Sequence, residues 1–293
     1  FHSVMSAIKH PTFDLIGVGN PIMDLLAHTD DAFLRTHVAG DKGGMVLVDD
    51  EDIVRMLAQL GTDYAEAPGG SAANATLGAA RLGLNATFLG KIGAAMTLHP
   101  DEVTIDDFHG ARHAHIEGYL MFNPALAEKV VRTARAAGCT ISIDLASFEV
   151  VNIARDWILA QLKEGVHVVF GNEDEVRALF QKDASYDAYA LKLAEFGGIA
   201  AVKMGKDGAW IAQGKTLHRI QPVTVPRVVD TTGAGDAWAA GFLFGYLRRA
   251  ALPAAGAIGS LMGAECVQHL GAAIPDVHWP RVRETAGRIL AGA

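Results

Sequence analysis

The segment Asp230-Thr231-Thr232-Gly233-Ala234-Gly235-Asp236 runs directly into Ala237-Trp238-Ala239-Ala240-Gly241-Phe242, an apolar run that continues through Leu243 and Tyr246. This pattern predicts a loop feeding a helix, with Asp236 in the helix's first turn. The first N–H groups of a helix have no intrahelical partner, and the macrodipole adds partial positive charge there. Small residues at 233–235 let an anion approach that backbone closely. A carboxylate beside such a cradle can take a proton from an attacking hydroxyl while the N–H groups hold the charge that develops opposite. Taken alone, the stretch is equally compatible with a Gly-rich turn whose acidic residue complements the dipole.

Other polar residues stand where a ligand could use them. Asp24 interrupts the apolar Pro21–Ala27 stretch; it is either the exposed position of an alternating strand or an acceptor for substrate hydroxyls. Pro68-Gly69-Gly70-Ser71-Ala72-Ala73-Asn74 opens an Ala-rich helix, with Ser71 able to cap it and Asn74 one turn on, facing the same place. Asn172-Glu173-Asp174-Glu175 has the charge pattern of a helix N-terminus and could also bind Mg2+ through water. His109, His113 and His115 cluster, with His113 and His115 on one face of a strand that a metal could use, but no third ligand accompanies them.

Several familiar motifs are excluded. Gly17-Val18-Gly19 lacks the third glycine of a dinucleotide fingerprint and is followed by a strand pattern rather than a helix. Gly208 to Thr216 approaches a P-loop but has one residue too many and falls in a predicted hairpin.

Elements that could position these groups are legible in order. Apolar runs predict strands at Phe13–Gly19, Gly43–Val48, Ala86–Gly90, His113–Leu120, Thr140–Asp144, Val166–Phe170 and Ile199–Met204. A hairpin is predicted around Gln213-Gly214, from Gly208–Ile211 and Thr216–Ile220. Helices are predicted from the Asp49 cap to Leu60, from Ser71 to Leu82, over 124–137, through a segment reaching Gly165, from Asn172, over 186–196, and over 234–249, 253–269 and 279–290. Strands separated by helices of this length imply right-handed βαβ units and a mostly parallel sheet. Ligands reach such sheets at the carboxyl ends of the strands, where Asp144, Asn172, Gly205 and Gly233 all fall.

Composition narrows the classes. The 293 residues carry a net charge of −8 and no basic run, which argues against a nucleic-acid partner. The longest apolar stretch, Ala250–Val267, contains Pro253 and Glu265 and reads as a buried helix rather than a membrane span. Two cysteines, Cys139 and Cys266, suit core positions in a reduced, cytoplasmic protein. Phe1 to Val4, before Met5, reads as an expression scar, leaving 5–293 as a single domain.

Together, Asp230–Asp236 followed by Ala239-Ala240-Gly241-Phe242, Gly69–Asn74 with Gly78 and Leu82-Gly83, and Asn172-x-x-Glu175 resemble the ribokinase family, the PfkB carbohydrate kinases. Gly19-Asn20-Pro21-Ile22-Met23-Asp24 and the Gly-Gly-Ser opening are most similar to its adenosine-kinase branch. The resemblance spans nearly the whole chain. It implies an α/β protein, a three-layer α/β/α ribokinase-like domain with a mostly parallel central sheet and a small β-sheet lid. The lid strands would come from about 20–29, 43–48, 64–68 and 86–92.

It further implies transfer of the γ-phosphoryl group of Mg2+-ATP to a primary hydroxyl of a nucleoside or, alternatively, a sugar. Asp236 would be the general base, and Gly233, Ala234 and Gly235 the anion hole. Asn20, Asp24, Gly69, Gly70 and Asn74 would bind the acceptor. Asn172 and Glu175 would organise Mg2+ and phosphates, and Gly205, Gly208, Thr232, Ala264 and Gly271 would border the nucleotide. Asp230 and Thr232 would hold a monovalent cation such as K+. The implied partners are small molecules only, with no nucleic acid or membrane, and the protein would be a monomer or homodimer. A non-catalytic ligand-binding protein on the same scaffold is the rival reading.

The sequence departs from the family pattern at two places, one of them Asp144-Leu145-Ala146-Ser147, which lacks the Asn or Arg that some sugar kinases carry after this strand. After Lys91-Ile92-Gly93 the acidic continuation and further lid strands are missing, and Gly93-Ala94-Ala95-Met96-Thr97-Leu98 follows at once, as if a lid segment were omitted.

Overall fold

The computed structural model describes residues 13–38, 46, 48–92 and 98–292. The sequence-predicted strand at 43–48, the junction at 93–97 and the residues preceding Met5 fall mostly or wholly outside these.

The strands are β1 (Phe13–Val18), β2 (Ile22–Leu26), β3 (Ala65–Gly69), β4 (Ala86–Leu89), β5 (Ala111–Glu117), β6 (Thr140–Asp144), β7 (Val168–Asn172), β8 (Ile199–Lys203), β9 (Ala209–Gln213) and β10 (Thr216–Ile220). The helices are α1 (Asp31–His37), α2 (Asp50–Leu60), α3 (Ser71–Leu82), α4 (Pro124–Ala136), α5 (Phe148–Gly165), α6 (Glu173–Phe180), α7 (Tyr186–Ala194), α8 (Ala234–Leu247), α9 (Leu252–Cys266) and α10 (Trp279–Ala291).

Eight strands form one sheet in the order β10-β9-β8-β7-β6-β5-β1-β4. It is parallel from β4 across to β8. The β8–β9–β10 hairpins add an antiparallel edge. Strand alternation divides the core between the two faces: Ile141, Ile143, Val169, Ala200 and Val202 face one apolar layer, while Val168, Phe170, Ile199 and Ala201 face the other. The first layer takes its helical side chains from α4 to α7, the second from α3, α8, α9 and α10. This is the expected three-layer ribokinase-like fold.

The small lid sheet is β2 paired antiparallel with β3, with Asp24 opposite Ala67. Ala86–Leu89 corrects the expectation for the lid. It pairs parallel with β1 at the edge of the main sheet, its partners running from Leu15↔Ala86 to Val18↔Leu89. β4 follows α3, which lies against β1, so a short crossover returns the chain beside β1 rather than to the lid.

α8 is apolar on all sides because it is enclosed. Ala237 through Gly245 are buried, along with Leu247. A Cβ on Gly241 would stand 2.5 Å from the Ile258 carbonyl oxygen, and one on Gly245 would stand 2.7 Å from Ala255 Cα, so α8 and α9 pack backbone to backbone. α3 approaches from the other side, where a Cβ on Gly78 would lie 2.8 Å from Ala240 Cβ. Enclosure on both sides fixes where the first turn of α8 points. Among the described residues no helix is long and apolar enough to cross a membrane. Both cysteines are buried and free.

Candidate active site

The carboxyl ends of β5, β6, β7 and β8 carry Glu117, Asp144, Asn172 and Lys203, in a register that pairs Glu117 with Asp144 and Asn172 with Lys203. They line one edge of a cleft of ≈1230 Å³, and the first turn of α8 lines the same cleft with Gly233, Ala234, Gly235 and Asp236.

Asp236 is the junction between α8 and α3. Its Oδ1 accepts from the Ser71 hydroxyl at 2.8 Å and its Oδ2 from Asn74 Nδ2 at 3.0 Å. Ser71 therefore differs from its expected role: Gly70 occupies the N-cap of α3, and the Ser71 side chain leaves the helix end to hold the acid. Burial raises the Asp236 carboxyl to about 6, against the opposing hydrogen bond from Asn74; the negative charge of Asp144 pushes the same way as burial. At neutral pH such a group is ionised yet basic enough to accept a proton.

Two glycines make the close approaches possible. Gly70 has φ +101, and a Cβ there would stand 2.3 Å from the Asn20 carbonyl oxygen. Gly233 has φ +70, and a Cβ there would stand 2.2 Å from Ala272 Cβ.

Lys203 supplies positive charge beneath this turn. Its Nζ pairs with Asp144 Oδ2 at 2.9 Å, both side chains being nearly buried, and lies 3.2 Å from where a Cβ on Gly235 would stand. Burial alone would lower the Lys203 pKa; the charges of Asp144 and Glu175 outweigh it and hold the ammonium above its ordinary value. The absence of a side chain at Gly235 thus leaves an anion room between backbone N–H groups and an ammonium.

Asn172 and Glu175 form a closed capping box at the start of α6. Glu175 Oε2 accepts from the Asn172 N–H at 2.8 Å and Oε1 from Asn172 Nδ2 at 2.6 Å. Burial raises the Glu175 carboxyl, offset in part by Lys203. Glu175 thus faces the cleft with both oxygens already engaged, and contributes charge rather than an open ligand position. Asp230 is similarly committed: it accepts from the Thr232 N–H and hydroxyl at 2.9 and 2.8 Å and from the Gly271 N–H at 2.8 Å. Burial pushes this carboxyl up, but those donors, led by the Thr232 N–H, hold it below its usual value.

Beside the small sheet, Asn20, Ile22, Asp24 and Gly70 line the same cleft, with Asn74 reaching Asp236. Burial raises the Asp24 carboxyl. The Asn20 side-chain oxygen is buried without a hydrogen-bond partner, an acceptor that a ligand hydroxyl would satisfy. Ile22 and Phe122 are exposed apolar residues lining the same cleft.

Gly205, Gly208, Thr232 and Ala264 line the cleft. Gly69 and Gly271 frame it instead. A Cβ on Gly69 would meet the Asp24 carboxylate at 2.3 Å, and Gly271 packs against Leu26 and donates to Asp230.

Glu117, Lys203 and Tyr119 are cleft residues that sequence reasoning missed. Glu117 Oε1 accepts from the Asn20 N–H at 2.7 Å and Oε2 from the Ala72 N–H at 3.0 Å, tying β1 to α3. Burial raises its carboxyl to about 7 despite these bonds. The only advance signal was an acid or base at the end of an apolar strand.

The histidine cluster is structural. His113 Nε2 and His115 Nδ1 both meet Ser142 Oγ at 2.8 Å, and His113 Nδ1 meets Thr140 Oγ1 at 2.7 Å. Burial holds His113 well below the usual imidazole range and His115 at about 4, so both are neutral core groups. His109 stands apart at the surface near Asp106.

Comparison with known proteins follows the same lines. The chain matches the description "pfkB family carbohydrate kinase" over residues 94–279. It is 37% identical over 115 residues to an uncharacterized sugar kinase of Archaeoglobus fulgidus, covering 39% of this chain and 45% of that protein. The chain spans about half the length of the curated relatives it matches. Among solved structures, adenosine kinase from Sinorhizobium meliloti superposes with a TM-score of 0.86 at 27% identity, covering 94% of this chain and 99% of that one. A probable sugar kinase from Rhizobium etli gives a TM-score of 0.85 at 28% identity over the same shares.

Proposed function

Because the chain belongs to the pfkB family of carbohydrate kinases, we propose that it transfers the γ-phosphoryl group of ATP to a primary hydroxyl of a nucleoside, adenosine-like first. The observation that carries this reading is Asp236: a carboxyl raised to about 6, held by Ser71 and Asn74, in the first turn of a helix whose N–H groups face the same cleft.

Asp236 takes the proton of the acceptor hydroxyl as that oxygen attacks. The N–H groups of Gly233, Ala234 and Gly235, with the Lys203 ammonium beside them, hold the charge of the transferring group. Mg2+, when bound, would neutralise phosphate charge. The acidic cluster of Asp144, Glu173 and Glu175 around Asn172 fits a hydrated ion, held through water because Asn172 occupies both Glu175 oxygens. Asn20, Asp24 and Asn74 orient the acceptor's hydroxyls. Since phosphoryl transfer asks for little covalent chemistry from the protein, positioning and charge supply most of the rate.

Ile22 and Phe122 favour a nucleoside, because exposed apolar side chains lining the cleft suit a flat base. A sugar is the second reading, favoured by the density of hydroxyl-binding groups at Asn20, Asp24 and Glu117 and by the sugar-kinase relatives. The K+ expectation at Asp230 and Thr232 rests on the family resemblance alone.

The test is ATP consumption across a panel of nucleosides and sugars, with Asp236→Asn alongside. Turnover on a nucleoside, reduced about 10³-fold in the variant with acceptor binding retained, is expected. Turnover on no acceptor, or full activity in Asp236→Asn, overturns the reading.

A further inference from the structure

Outside the cleft, one group of side chains among the described residues has the composition of a metal centre. Glu265 lies in the last turn of α9, His269 follows that helix, and His278 immediately precedes α10. One candidate ligand atom from each lies within 4.8 Å of the other two. Glu265 Oε1 is 2.9 Å from His278 Nδ1 and 3.6 Å from His269 Nε2, and the two imidazole rings are 4.6 Å apart, centroid to centroid.

A simple ion-pair cluster would leave these atoms hydrogen-bonded. Instead Glu265 Oε1 and His269 Nε2 are both buried and have no hydrogen-bond partner, although the Glu265 side chain is only 3% exposed. His278 Nδ1 comes within 2.9 Å of Oε1 without a hydrogen bond between them. The other carboxylate oxygen, Oε2, is taken by Arg281 at 2.5 Å. That contact fixes the carboxylate with Oε1 toward the two imidazoles, which is what an outer-shell partner does for a metal ligand.

We propose that Glu265, His269 and His278 form a binding site for one divalent cation of the Zn2+ class, separate from the phosphoryl-transfer cleft. Two imidazoles and one carboxylate form a three-ligand set that leaves a fourth position for water. Imidazole donors select borderline metals over Mg2+, which prefers oxygen ligands in octahedral array. Cys266 takes no part: its thiol faces the Thr232 and Ala272 carbonyl oxygens instead.

The site's location gives the ion a consequence. It joins the end of α9 to the start of α10 and so clips the loop between them. That loop carries Gly271, which donates to Asp230, and Ala272, which packs under Gly233. A bound ion would therefore stiffen the frame behind the anion hole without touching a reacting atom.

The test is calorimetric titration of Zn2+ into the full chain under saturating Mg2+, with Co2+ as an optical probe. Native protein, His269→Ala and His278→Ala are compared, and thermal unfolding is followed in each. Both histidines are partly exposed, so neither truncation empties a core position. One equivalent of Zn2+ is expected to bind, with affinity at least about tenfold weaker in each variant. Zn2+ should raise the Tm of the native protein alone, and Co2+ should show no thiolate band. No saturable binding, binding unchanged in both variants, or a thiolate charge-transfer band would each overturn the proposal. None of these readouts depends on turnover.

Discussion

The two ends of the cleft are built differently. Around the strand ends, Glu117, Asp144, Lys203 and Asp236 are tied to residues far off in sequence, as in Lys203 to Asp144 and Ser71 to Asp236, and Glu175 is held by Asn172. At the small sheet, β2 has a single partner strand among the described residues, and Ile22, Met23 and Leu25 stand exposed. The buried end suits charge stabilisation, which needs fixed dipoles in a dry setting. The exposed end suits recognition, because its side chains can change without disturbing a core. On the proposed reading, the fold separates the chemistry from the choice of acceptor.

Lys203→Met attacks the first half of that contrast. It leaves the Asp144 carboxylate buried without its counter-charge, and stability should fall by about 3–5 kcal/mol in urea unfolding. An unchanged midpoint would mean that Asp144 readily takes a proton and that the corner is less rigid than its bonds imply. Asp24→Ala attacks the second half. Losing a hydroxyl acceptor should raise the acceptor KM by about tenfold, roughly 1.4 kcal/mol, while kcat and Tm stay near native. A large loss of stability instead would place the small sheet on the same footing as the core.

The same contrast explains what could be read in the sequence. Three stretches of the cleft were legible because their signals are local: Gly233 to Asp236 before an apolar helix, Gly69 to Asn74 before a small-residue one, and the Asn172–Glu175 capping box. Most of the strands and helices of the main sheet were legible too, from apolar runs and caps. Glu117 and Lys203 were not, because their partners lie far away in sequence; the Glu117 carboxylate bonds residues 97 and 45 positions off. β4 was assigned to the lid because its sequence is an ordinary apolar run, and only its parallel pairing with β1 decides where it belongs. α1 passed unread although Asp30 caps it through the Phe33 N–H, since seven residues give too few turns for a periodic signal.

The central claim is that Asp236 acts as a base whose pKa burial has raised to about 6. A general base works ionised, so activity should be present above that pKa and fall as pH drops through it. The most direct measurement is kcat/KM against pH from 5 to 8, for the native protein and for Asp236→Asn. A native acidic limb near pH 6, absent from the variant's residual activity, is the predicted result. A variant that keeps the same limb, or keeps native turnover, would contradict it.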